Sequence, residues 1–217
     1  MDACGCDDRF SIFDRASAEA DMQRYRRNGP DRTTRLLLDM IRARGVRNAS
    51  VLDIGGGIGV VDHELLKDGA ARAVLVDASE PSLDAAREEG RRRSDLDRLE
   101  TVHGDFVTQA SAIAPTDIVT LDRVVCCYPD MPSLVRLSAT RARAVYGFVL
   151  PRDRAIIRWG LRLMNVWFRV RGMTYRAFAH PNDRIDAIVE ESGLRARSEA
   201  RTFFWRVVLY ERQPARS

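Results

Sequence analysis

Three aspartates and a run of glycines carry the spacing with the clearest chemical meaning. The stretch SVLDIGGGIGVV, residues 50–61, puts Asp53 at the end of an apolar run and follows it with Gly55, Gly57 and Gly59. A dinucleotide-binding turn requires G-x-G-x-x-G, so that bare backbone can approach a pyrophosphate. Counted from Gly55 the third position is Val60, and counted from Gly57 it is Asp62, so that fingerprint fails in both registers. D-x-G-x-G-x-G suits a ligand without phosphates: an aminoacyl tail can lie against the loop, and the carboxylate of Asp53 can hold its ammonium group directly or through water. Asp77, followed by Ala78, ends the next apolar run 18 residues beyond Gly59. An acid there takes both hydroxyls of a ribose in a bidentate hydrogen bond. In HGDF, Asp105 and Phe106 are placed for the amino edge and the face of an adenine. Ammonium, ribose and adenine together describe S-adenosylmethionine, whose demethylated product is S-adenosylhomocysteine. A tight turn with no ligand also uses glycine, and the two correctly spaced acids are what weigh against that reading.

Strand ends must hold these residues, and the chain supplies them. The β-rich runs SVLDI (50–54), AVLVD (73–77), LETVH (99–103), DIVTLD (117–122) and ARAVYGFVL (142–150) alternate with helical stretches. Such alternation, with nearly continuous apolar strands, predicts a parallel sheet covered by helices on both faces. GLRARSEARTFF and WRVVLYER follow one another closely and predict a terminal pair of strands. Residues 1–45 read as a helical cap: a polar helix, a break at NGPD with Asp31 as N-cap, then RTTRLLLDMIRARG leading into the first strand. Residues 46–217 read as one domain. Within it, 153–171 predict a helix with Arg154, Arg158, Arg162 and Arg169 on one side and Ile157, Leu161, Met164, Trp167 and Phe168 on the broad opposite face.

Composition bounds the partners. A chain of 217 residues, 45% hydrophobic and 30% charged, suits a single globular α/β domain. No apolar run has the length to span a bilayer, and MDACGCDDRF lacks the apolar segment of a secretion signal, so the expected compartment is the cytoplasm, with reduced cysteines. The net charge of +4 rests almost wholly on arginine, Lys67 being the only lysine, and the arginines are spread among acids rather than gathered in one block. That argues against a nucleic-acid partner. A small-molecule acceptor is expected, with contact to membrane at most peripheral.

From about residue 46 onward the chain resembles the class I S-adenosylmethionine-dependent methyltransferases. Its second half is similar to the magnesium-protoporphyrin IX O-methyltransferases, through VTLDRVVCCYPDM, RAVYGFVLPRD, YRAFAHP (175–181) and FFWRVVLYER. The resemblance implies a Rossmann-like, seven-stranded, mostly parallel sheet with a terminal antiparallel strand. It also implies methyl transfer to a carboxylate or hydroxyl of a flat, apolar, anionic acceptor. The pair Cys126-Cys127 is not part of the porphyrin enzymes' pattern.

Methyl transfer from a sulfonium is an in-line displacement, in which the protein must mainly align the two partners and exclude water. Asp122, Tyr128 and His180, near strand ends, are the candidates for direct chemistry, and Asp122 also for cofactor contact. Tyr25 and Arg26, brought over by the first helix, are candidate acceptor contacts, together with Cys126, Cys127, Tyr128, Trp167 and His180. Neither Cys4-x-Cys6 nor Cys126-Cys127 has the C-x-x-C spacing of a zinc site, so no metal is expected. The cysteine pair leaves open a thiol or metalloid S-methyltransferase, and the fold alone leaves open a non-catalytic cofactor-binding module. Residues 153–180 are expected to cover the acceptor, the helix at 153–171 closing over it; shallow attachment of that helix to a membrane surface is the other reading.

Overall fold

The computed structural model describes residues 14–173 and 175–213; Cys4 and Cys6 lie outside them. Seven strands form one sheet: β1 Ser50–Ile54, β2 Arg72–Asp77, β3 Leu99–His103, β4 Thr116–Asp122, β5 Ala142–Pro151, β6 Leu194–Arg201 and β7 Trp205–Arg212. Their order across the sheet is β3-β2-β1-β4-β5-β7-β6. The first five run parallel, and β7 lies antiparallel to both β5 and β6. This is the Rossmann-like methyltransferase topology that the sequence leads one to expect. Strand order reverses between β1 and β4, which opens a crevice at the carboxyl ends of the strands. Asp53, Asp77 and Asp122 all stand at those ends.

The cap consists of α1 Arg15–Asn28 and α2 Arg32–Arg42. Asp14 starts α1 by accepting from the Ser17 N–H, and Gly29 ends it in the left-handed region (φ 70°). Asp31 then starts α2 by accepting from the N–H groups of Thr33 and Thr34. The remaining helices are α3 Val60–Lys67, α4 Glu80–Arg93, α5 Phe106–Gln109, α6 Met131–Arg141, α7 Ala155–Val170 and α8 Asn182–Glu191.

Side chains that alternate along the strands feed two apolar layers. On one face Leu52, Ile54, Val119, Leu121, Tyr146, Phe148 and Tyr210 pack against Leu134 and Val135 of α6 and Ile185 and Val189 of α8. On the other, Val51, Leu75, Ile118, Val149 and Val207 meet Leu37, Leu38 and Ile41 of α2 and Leu65 and Leu66 of α3. Full burial of each such side chain contributes about 1.5–3 kcal/mol. The cap is clamped to the domain through Glu89 of α4, whose fully buried carboxylate receives Arg26 (2.8 Å), Arg92 (2.5 Å) and Arg93 (2.6 Å). Burial opposes its ionisation, but the hydrogen bonds from the three arginines prevail and hold the Glu89 carboxyl well below the usual range.

The helix expected at 153–171 is present as α7, with a different outlook. Ile157 and Leu161 are buried with Ala177, flanked by Met164, Tyr175, Ala179 and Phe204. Trp167 is 51% exposed on the outer side of the helix.

Candidate functional site

The loop between β1 and α3 needs all four of its glycines, for two different reasons. Gly55, Gly57 and Gly59 take left-handed backbone, with φ of 65°, 58° and 74°. Gly56 does not, but a Cβ there would stand 2.1 Å from Asp53 Oδ2 and 2.6 Å from Leu75 Cδ1. Beside Gly57, in contrast, a Cβ would find no atom within 4 Å, so the loop leaves an open cradle at that point. The Gly57 N–H donates to Asp77 Oδ2 (2.8 Å) and the Ser79 N–H to Asp77 Oδ1 (2.8 Å). One strand-end carboxylate thereby ties the first two βα turns together. Burial outweighs these hydrogen bonds and pushes the Asp77 carboxyl above its ordinary value.

The cradle belongs to a cavity of about 630 Å³, lined among others by Gly55, Gly57, Asp77, Ala78, Asp105, Phe106, Asp122 and Tyr128. That volume is in the range of small-molecule and cofactor sites. Asp105 caps α5 through the Val107 N–H (3.1 Å) and accepts the Tyr128 hydroxyl on both oxygens (3.0 and 2.9 Å). Phe106 is 3% exposed and belongs to the core, so it offers the cavity little of the ring face expected of it.

Asp53 stands at the cavity wall, yet its carboxylate is fully buried beneath the loop. Its Oδ1 accepts from Thr120 Oγ1 (2.6 Å), and its other oxygen faces the carboxyl of Asp62, the third residue of α3. As ionised groups, Asp53 Oδ2 and both Asp62 oxygens would have no donor; a proton between the two carboxyls joins Asp53 Oδ2 to one of the Asp62 oxygens. Burial, then the neighbouring Asp62, push Asp53 well up, and burial pushes Asp62 up to about 7. Direct contact of Asp53 with an ammonium group, one of the two routes expected, does not fit this burial: the side chain braces the loop from below.

At the end of β4, Asp122 accepts from Thr34 Oγ1 (2.5 Å) and Arg123 Nε (3.0 Å), and Arg123 also pairs with Asp31. Arg123 makes this turn with φ 64° and donates its N–H to the Val149 carbonyl (2.9 Å). Burial outweighs Arg123 and raises the Asp122 carboxyl. At Asp31 burial acts in the same direction, but the Thr34 N–H and Arg123 prevail and lower it. Asp31, Thr34, Arg35, Arg123, Tyr175 and Trp205 all line the cavity without having been singled out as site residues in the sequence. A charged residue directly after a strand-end acid, as in Asp122-Arg123, was the available signal.

The other expected residues divide. Tyr25, Cys126 and Cys127 line the cavity. The Tyr25 hydroxyl donates to Glu64 Oε1 (2.7 Å). The two cysteine sulfurs are 3.7 Å apart, and Cys127 Sγ is 2.8 Å from the Tyr175 hydroxyl. Arg26, His180 and Trp167 are not on the cavity wall. Arg26 is spent on Glu88 and Glu89. His180 donates from Nε2 to the Tyr128 carbonyl (3.0 Å) and stacks on Phe178, so it steadies the 125–128 turn from behind. Trp167 lies against Phe168 and beneath Arg171. Tyr175 touches both the cavity and the inner face of α7, so the helix backs the wall instead of closing over it.

Residues 51–145, which hold the loop and the strand-end acids, match the family model of a methyltransferase domain. No curated protein sequence matches the chain. Among solved structures, it is similar to magnesium protoporphyrin IX methyltransferase from Synechocystis PCC 6803 with S-adenosylhomocysteine bound. The TM-score is 0.65 at 14% identity, over 98% of this chain and 89% of that one. An O-methyltransferase family protein from Burkholderia thailandensis gives 0.69 at 17% identity, over 95% and 63% of the two chains. An O-methyltransferase family 2 protein from Planctomyces limnophilus, in complex with apigenin, gives 0.61 at 16% identity, over 86% and 63%. Domain match and fold agree: residues 51–145 carry a methyltransferase domain, set in a seven-stranded sheet with the Rossmann-like fold of the S-adenosylmethionine-dependent methyltransferases to which the chain is similar.

Proposed function

We propose that the protein methylates an oxygen of a flat, apolar, anionic small molecule, a carboxylate or hydroxyl of a tetrapyrrole-like or other polycyclic compound. One observation carries this reading. The wall on the β4 side of the switch point combines the rings of Tyr175 and Trp205 with Arg35, a lining cation that has no ion-pair partner among the described residues. The porphyrin and apigenin named with two of the similar structures are flat ring systems, which is consistent with such an acceptor.

On this reading the cofactor occupies the half of the cavity under β1, β2 and β3. Asp77, on the cavity wall, receives the two ribose hydroxyls, Asp105 and Tyr128 take the adenine edge, and the cradle at Gly57 receives the aminoacyl tail. When bound, S-adenosylmethionine supplies an already activated methyl group. Arg35 orients the acceptor's anionic group, and the aromatic wall keeps water out. A carboxylate acceptor is ionised at neutral pH and needs no base. With a hydroxyl acceptor, Asp122 takes the proton on a carboxylate oxygen, because burial has raised its proton affinity. The region 153–180 serves as backing for the acceptor wall.

A second reading rests on Cys126 and Cys127, both on the cavity wall. A thiol or trivalent metalloid held there would be methylated at sulfur or at the metalloid. Incubation with methyl-labelled cofactor and a panel of tetrapyrroles, aromatic acids, phenols and thiols separates the possibilities. Label in acids or phenols, retained in Cys126→Ser, is the expected result. Label only in thiols or metalloids, lost in Cys126→Ser, would replace the oxygen acceptor. No label in any class, with S-adenosylhomocysteine bound tightly, would make the protein a non-catalytic binding module.

A further inference from the structure

Apart from the site, the least conventional surface is the outer side of α7. Ile156, Trp159, Leu163, Val166 and Val170 follow one another at alternating steps of three and four residues, with Trp167 one position round, and all six are more than half exposed. With Phe203 they are the only large hydrophobic side chains so exposed among the described residues. A soluble surface rarely gathers its exposed apolar groups in one contiguous strip unless something covers it. The inner face of the helix is already used by Ala177 and its neighbours, so this strip is additional to what folding requires.

The charges beside the strip say what the cover is. On a helical projection Arg158, Arg162 and Arg169 form a ridge along one edge of the strip, and no acidic residue occurs from Ala155 to Val170. Arg158 pairs with Asp153 (2.5 Å), whereas Arg154, Arg162, Arg169 and Arg171 have no ion-pair partner among the described residues. Three of these guanidinium groups instead stand over exposed rings: Arg154 over Phe203, Arg162 over Trp159 and Arg171 over Trp167, at 5.0–5.7 Å. Tryptophan and arginine side by side on an apolar strip match the boundary between acyl chains and headgroups. A second copy of the helix fits less well, because it would bring two unneutralised arginine ridges together with no carboxylate on either helix. At 16 residues the helix is about 24 Å long, and no helix among the described residues is long and apolar enough to cross a membrane. It can lie in the surface of a bilayer.

We propose that α7 and Phe203 seat the protein on an anionic lipid surface, a property independent of which acceptor the site takes. The test is flotation of the full chain with vesicles of phosphatidylcholine containing phosphatidylserine, and with vesicles of phosphatidylcholine alone. The protein should float with the anionic vesicles at low salt and be released at high salt. The double variants Trp159→Ala/Leu163→Ala and Arg162→Gln/Arg169→Gln should each lose about tenfold or more in partitioning. Both should keep wild-type affinity for S-adenosylhomocysteine, which shows that they are folded. Wild-type protein that stays with the bulk solution, or variants that float equally well, would overturn the proposal. So would a dimer in sedimentation equilibrium, without vesicle binding, that Trp159→Ala/Leu163→Ala dissociates, for then the cover is a second copy.

Discussion

The Asp77 carboxylate, on the cavity wall, accepts from the N–H groups of Gly57 and Ser79. On the proposed reading it also receives the vicinal diol of a ribose. Asp77→Ala should therefore weaken S-adenosylhomocysteine binding by about 1.5–3 kcal/mol, the value of hydrogen bonds to a charged group, as read by calorimetry. Unchanged affinity in a folded variant would place the ribose elsewhere. Arg35→Gln should instead leave that affinity alone and raise the acceptor KM about tenfold or more, by the same class of interaction. The strand-end placement of Asp77 and Asp122 was legible in the sequence because an acid that closes an apolar run must come out at the carboxyl end of a strand, and Asp105 follows β3 by two residues. Residues on helices were not equally legible. Tyr25 and Arg26 are neighbours in the chain, but a turn of about 100° between them sends one to the cavity and the other to Glu89. His180 and Trp167 failed as site residues for a related reason, since which way a loop or helix faces depends on what it packs against.

At the scale of the element, the β1–α3 loop joins two constraints that one glycine pattern conceals. The alternating Gly55, Gly57 and Gly59 could be read as backbone freedom, but the role of Gly56 depends on Asp53 and Leu75 approaching from beneath. Only the packed structure contains that contact. Gly56→Ala should cost about 1–3 kcal/mol as an overpacked site and also weaken cofactor binding, measured by urea unfolding and calorimetry. Gly160 provides the contrast. It lies inside α7, with ordinary helical backbone and no atom within 4 Å of a Cβ placed there, so Gly160→Ala should stabilise by about 0.5–1 kcal/mol. A stabilised Gly56→Ala would show that the loop is not braced by Asp53. The limits of β1 to β5 and of β7 were legible to within about a residue because apolar runs and turns are local signals, whereas GLRARSEARTFF overran β6, which ends at Arg201. The amphipathic character of α7 was legible too, but the sequence could not say that its inner face backs a wall while its outer face remains open.

For the whole molecule, pH dependence follows from groups buried on either side of α3. Burial and the neighbouring Asp62 raise Asp53, and burial raises Asp62 to about 7. Between the ordinary carboxylate range, near 4, and about 7, the folded state thus holds a proton that the unfolded chain has released, and stability falls as pH rises. His63 acts in the opposite sense: burial holds it neutral down to about 4, so over much of the same interval its contribution grows with pH. The two slopes oppose each other in the wild type. Asp62→Asn removes the Asp62 part of the first slope and leaves Asp53 raised by its own burial, so its stability relative to the wild type should climb by up to about 1.4 kcal/mol per pH unit up to about pH 7. Urea unfolding at a series of pH values checks this, and a constant difference between the two proteins would refute it. The sheet order has a consequence of another kind, for the timing of synthesis. A ribosome delivers β6 before β7, yet the neighbour of β6 in the sheet is β7, and β7 also covers the open edge of β5. Until residues 205–212 emerge, the nascent chain carries one strand with nothing to pair and another with an unpaired edge beside Tyr146 and Phe148. That is the interval in which a growing chain of this topology is most open to capture by a foreign strand.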